Sequence, residues 1–192
     1  EMLAQHLITK PVFDALFALA THEMRQNSVA QVKDGSYNGG QAIPCDCFET
    51  GAKWHYVWTR DLSYATDLGL GALDPMRARN SLRFKLSDFR AELTSDLDSL
   101  IPQGRQIIQD TGTGGSWPIS TDRMSWALGA ERVLAALPDA ERNAFLPEVF
   151  EGLSNTIESD RLSAFDSADG LYVGEQSFLD WRDQTYAKWI TA

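Results

Sequence analysis

The sequence predicts an all-α chain built from helical hairpins, and three observations carry that expectation. Segments 58–65, 120–127 and 180–187 read alike: each holds an Arg beside an Asp, then after one residue a hydroxyl, an aromatic and an Ala. The successive pairs lie 62 and 60 positions apart, room for a helical hairpin with its loops, which is the mark of a repeat architecture. Between the copies, apolar residues recur with helical period.

The elements follow in order. Val12, Phe13, Leu16, Phe17 and Ala20 give a first helix its stripe, with Pro11 at the opening turn and Thr9 as cap. Segment 31–53 is polar and is expected as a long loop before a second helix from about 60 to 73. Asp74-Pro75 starts the next helix, Asp as cap and Pro in the first turn, with Ala78, Leu82, Leu86 and Phe89 facing inward. A short β-prone run at 106–109 and a glycine-rich stretch at 110–118 lead to a helix capped by Ser120 or Thr121. Its inner side is expected to hold Met124, Ala127, Ala130, Leu134 and Leu137. Pro138-Asp139 restarts the chain, Phe145, Val149, Leu153 and Ile157 follow at four-residue spacing, and Pro147 marks a break or second start. The third motif helix begins near Arg182 and has only about ten residues. With Glu1 at the other end, the chain is expected to be a single partial domain, 1–192, of a longer protein.

Composition is that of a globular protein. The apolar runs fall short of the roughly 20 residues that span a bilayer, and no charged start with an apolar block marks a signal peptide, so no membrane is expected. A net charge of −10 argues against a general nucleic-acid binder, because phosphates need a basic stripe to neutralise them. Cys45 and Cys47, one residue apart, are poorly spaced for an unstrained disulfide or a four-ligand zinc site. Trp54, Trp58, Trp117 and Trp181 lie in or beside the loops before the motifs, which suits a flat, partly apolar ligand. No metal or cofactor is expected: His6, His22 and His55 are scattered, and Asp166, Asp169 and Gly170 lack the alternating acidic positions of a calcium loop. The phosphate-loop and Gly-x-Ser-x-Gly patterns are absent.

An Asp near a helix start is by itself an ordinary cap, and the aromatic and Ala positions of the motif are expected in the core. Three Arg-Asp pairs at equivalent helix starts would instead ring a common depression, where free N–H groups suit hydroxyl and carboxylate ligands.

The string Tyr56-Val57-Trp58-Thr59-Arg60-Asp61 resembles the aromatic-Thr-Arg-Asp signature of the six-hairpin glycosidases, the glucoamylase, trehalase and rhamnosidase-like enzymes. Segment 115–118 with Asp122, and the region 175–183, are similar to that family's second and acid-bearing loops. The resemblance implies an (α/α) toroid with about three of its six hairpins present, and a glycoside hydrolase acting on an oligo- or polysaccharide. It implies that Arg60 and Asp61 grip sugar hydroxyls while indoles stack on the ring, with Trp58, Trp117, Asp122, Arg123, Trp181, Arg182 and Asp183 as further substrate contacts. The general acid is expected at Asp180, with Glu175 close behind, and the second carboxylate in a later hairpin outside the chain. A carbohydrate partner and no nucleic acid are thus expected. The alternatives are a non-catalytic helical-repeat binding module and a polysaccharide lyase on a similar toroid.

Overall fold

The computed structural model describes residues 11–33, 40–51, 55–89, 104–108 and 122–172. The described residues are mostly helical, with a few short strands. Helix α1 (Pro11–Gln26) forms from the expected apolar stripe, but none of its residues is buried. Phe13 is 57% exposed and Phe17 47%, so the stripe meets no other described element. Among the described residues, its C-terminal end joins the body of the protein through Met24, which packs against the core, and Ser28 Oγ, which donates to the Met24 carbonyl at 2.8 Å.

Strands β1 (Ser28–Val32) and β2 (Ile43–Phe48) pair antiparallel, Ser28 opposite Phe48 and Val32 opposite Ile43. Segment 31–53 is therefore not simply a loop. Pro44 and Asp46 obscure the strand in the sequence, but a two-stranded ribbon tolerates both because each strand has a free edge. Cys47 and Phe48 at the strand's end are buried in the core. Cys45 and Cys47 are joined by a disulfide, against the expectation from their spacing. Asp46 has a φ of 48°, in the left-handed region, and this local bend brings the flanking Cα atoms to 5.2 Å, within bridging range.

Helix α2 (Thr59–Ala65) continues through a π-helical segment, Thr66–Leu70, into a last turn, α3 (Gly71–Leu73). Asp74 then caps α4 (Pro75–Phe84), its Oδ1 accepting the Arg77 N–H at 3.0 Å with Pro in the first turn, as expected. Ala78, Leu82 and Leu86 face inward; the Phe89 side chain lies outside the described residues. The β-prone run contributes one bridge, Leu86 to Ile107.

Helices α5 (Asp122–Ala136) and α6 (Asp139–Ala164) are joined at Pro138. Pro147 breaks nothing and lies within α6. Salt bridges Arg79–Glu141 and Arg83–Glu148 tie α4 to α6. The core gathers Trp126, Phe84, Leu82, Val133, Phe145 and Ile107, and Trp126 Nε1 donates to the Leu82 carbonyl at 3.2 Å. Gly129 lets α5 approach α2 closely: a Cβ there would lie 3.3 Å from the Ser63 carbonyl and 3.3 Å from Thr66 Cβ. A short hairpin, β3 (Phe165–Asp166) and β4 (Leu171–Tyr172), follows. Its turn occupies the carboxylates of Asp166 and Asp169, which accept the N–H groups of Ala168 and Leu171.

Candidate functional site

A cleft forms where β2 ends and α2 begins. The Phe48 N–H donates to Ser81 Oγ on α4 at 2.9 Å, which fixes the end of the strand. Glu49 N–H donates to the Asn27 carbonyl, Thr50 N–H to the Tyr56 carbonyl, and Trp58 N–H to Thr50 Oγ1. These bonds draw the start of α2 beside residues 48–50. Thr59 Oγ1 donates to the Ile108 carbonyl at 2.6 Å, and Thr59, Leu62, Ser63 and Thr66 turn inward. Helical geometry then leaves Arg60, Asp61, Tyr64 and Ala65 on the open face. Together with Phe48, Glu49, Thr50, Leu62 and Leu70 they line a cleft of about 500 Å³.

The cleft offers guanidinium donors from Arg60, carboxylates from Asp61 and Glu49, a hydroxyl from Thr50 and the Tyr64 ring. Glu49 Oε2 is also 3.0 Å from His55 Nδ1. Trp58 occupies the N-cap position of α2 without a side-chain cap bond, so Asp61 is not the cap; it lies in the first turn, where the helix dipole favours an anion. Tyr64, expected in the core, is 48% exposed. Trp58 packs against the core rather than lining the cleft.

The second motif is oriented differently. Arg123 is wholly buried, and its guanidinium donates to the Asp160 carboxylate on α6. Burial lowers the Arg123 pKa and raises that of Asp160; for both groups desolvation outweighs the attraction of the pair. Arg123 therefore joins α5 to α6 inside the protein. Asp122 opens α5, and its side chain lies outside the described residues, as do Trp117, Glu175, Asp180, Trp181, Arg182 and Asp183. Sequence reasoning did not find Glu49, Thr50 or Asp160. The first two arrive through the strand that was read as loop, and the third through a pairing 37 positions along the chain.

Residues 1–37 match the family model of the coupler domain of Type ISP restriction-modification enzymes. No curated protein and no solved structure matches the chain. The match corrects the expected membership of the six-hairpin glycosidases, because the family found is a restriction-modification one and not a glycosidase. With it fall the glycoside-hydrolase activity, the carbohydrate substrate and the exclusion of a nucleic-acid partner. An Arg-Asp pair, a hydroxyl and an aromatic at a helix start are residue types that ordinary helices use for capping and packing, so a short motif of this kind carries little family information. The matched region instead spans α1 and β1, which the motif leaves out.

Proposed function

We propose that the chain is a helical coupling unit of a DNA restriction-modification enzyme, and that α1 is the helix through which it engages an adjoining domain of that enzyme. One observation carries this reading. The 1–37 match falls on the helix whose Val12, Phe13, Leu16, Phe17 and Leu19 stand exposed along one amphipathic stripe. Contiguous apolar surface of this kind on a soluble protein marks an interaction site. The occupant is an apolar helical or sheet face of the neighbouring domain, read against the i, i+3, i+4 anchors of α1. On this reading the net charge of −10 describes the unit's solvated surface and sets no limit on the enzyme's substrate.

Within the unit, residues 1–192 are taken as one domain whose helical hairpins continue as an (α/α) array. Its α2 cleft, with Arg60 and Asp61, is taken as a site for a small polar ligand, its volume being within the ordinary range for such sites. The test is the double substitution F13S/F17S in the full-length protein. Both residues are exposed, so the melting temperature of the 192-residue chain should hold while DNA cleavage and methylation by the full protein fall together. Unchanged cleavage and methylation would overturn the proposal.

A further inference from the structure

We propose that the Cys45–Cys47 disulfide is a thiol–disulfide exchange site, opened by a thiolate that attacks from the Cys45 side. The two sulfurs are presented unequally: Cys45 is half-buried on the wall of a second cleft of about 320 Å³, whereas Cys47 is wholly buried in the core. Ala30, Pro44, Asp46, Asn80 and Arg83 line the rest of that cleft. An incoming thiolate therefore has a route to one sulfur and not to the other.

A structural role for this bridge is weak. A disulfide restrains the unfolded chain more the longer the loop it closes, growing with the logarithm of loop length, and this one links residues two positions apart. The hairpin is already clamped without it. Arg77 Nη1 donates to the Val29 carbonyl at 3.1 Å and lies 2.7 Å from Asp46 Oδ1, joining both strands to α4. Asn80 Nδ2 donates to the Asp46 carbonyl at 3.3 Å. These contacts hold Asp46 in its left-handed conformation, which among the described non-glycine residues it alone adopts. Opening the ring leaves these contacts in place, so the clamp keeps the strands paired.

The chemistry balances with a dithiol as reductant. Its thiolate attacks Cys45 Sγ, the S–S bond breaks, and Cys47 leaves as a thiolate that takes a proton from water. The second thiol of the reductant then attacks the mixed disulfide and releases Cys45. The dithiol is oxidised to its cyclic disulfide, and the protein gains two electrons and two protons. Re-oxidation reverses each step.

The experiment is a dithiothreitol titration of the intact chain without denaturant, followed by quenching with a light alkylating label, full reduction, a heavy label and peptide mass mapping. The untreated protein should yield Cys45 and Cys47 linked in one peptide, and native titration should release both thiols, with the far-UV circular dichroism unchanged. With oxidised glutathione as the probe, C47S should accumulate a mixed disulfide at Cys45, while C45S should not at Cys47. Isolation with free thiols, a bond that resists reduction until urea is added, or loss of the helical spectrum on reduction would each overturn the proposal. Should the variants not fold, the order of light labelling in partly reduced wild type decides it: Cys45 first supports the site, and equal labelling sinks it.

Discussion

Helices α2 and α5 carry the same eight-residue pattern and turn opposite sides of it to the core. Aligned position by position, Asp61 corresponds to Arg123 and Tyr64 to Trp126. In α2 these positions line an open cleft, and Tyr64 is 48% exposed. In α5 both Arg123 and Trp126 are wholly buried. Conversely Leu62 is buried, while its counterpart Met124 is 36% exposed. A motif shared in sequence thus specifies that a helix begins, but the neighbours that the helix meets decide which way it faces.

The sharpest way to break this contrast is R123A. It leaves the Asp160 carboxylate partly buried and without its cation, and removal of one partner from a buried pair costs about 3–5 kcal/mol. Urea unfolding should show that loss for R123A and a smaller one for R60A, which is half-buried on the cleft face rather than enclosed in the core. Equal losses would mean that the two helices are equivalent after all. The double variant R123L/D160L should recover much of the single-variant loss, since apolar replacement of both partners is often neutral.

A smaller effect tests the contact between the two helices. G129A places a methyl group against the Ser63 carbonyl, Thr66 Cβ and Leu82 Cδ2, all at 3.3–3.4 Å, and overpacking of this kind costs about 1–3 kcal/mol. By contrast G69A has open space around the new Cβ and a helical backbone, so it should raise the urea midpoint slightly, by about 0.4–1 kcal/mol of stability. The weakest effect is a pH dependence. Burial against α5 raises the Asp160 pKa above its ordinary 3.8, so the folded state holds this proton more tightly than the unfolded one. Its contribution to stability is therefore fully present below 3.8 and is lost as pH rises through the raised value. Relative to D160N, wild type should gain stability on acidification across that window; a pH-independent difference in urea midpoint would refute it.

Local signals were legible wherever the chain itself supplies the partner. Asp74-Pro75 starts α4 with a cap and a fixed φ that act within one turn, and Pro138 precedes α6 with Asp139 in its first turn. Burial was less legible. Residues 145, 149, 153 and 157 advance about 40° per four-residue step around a helix, so the last of them drifts out of the core. Ile157 is 52% exposed, and Thr156 and Ser159 take the inward places. In α5 the motif reads Arg123 as a ligand contact at a helix start, whereas in the fold it is buried and paired with Asp160, a partner distant in sequence. Arg60 and Asp61 were found from the motif, whereas Glu49 and Thr50 depend on a strand whose Pro and left-handed Asp conceal it. The α1 helix was legible as a helix, but its exposed stripe was not, since amphipathicity says that a face wants covering and not what covers it.

The π-helical segment at Thr66–Leu70 puts α2 out of phase with the turn that follows it. Winding there proceeds by i to i+5 bonding, so one residue is spent without the usual advance in azimuth. Gly71, just past this slack, lies against α5: a Cβ there would come within 2.7 Å of Arg132 Cγ and 2.9 Å of the Thr66 carbonyl, so the looser winding and the missing side chain meet at the place where the two helices close up.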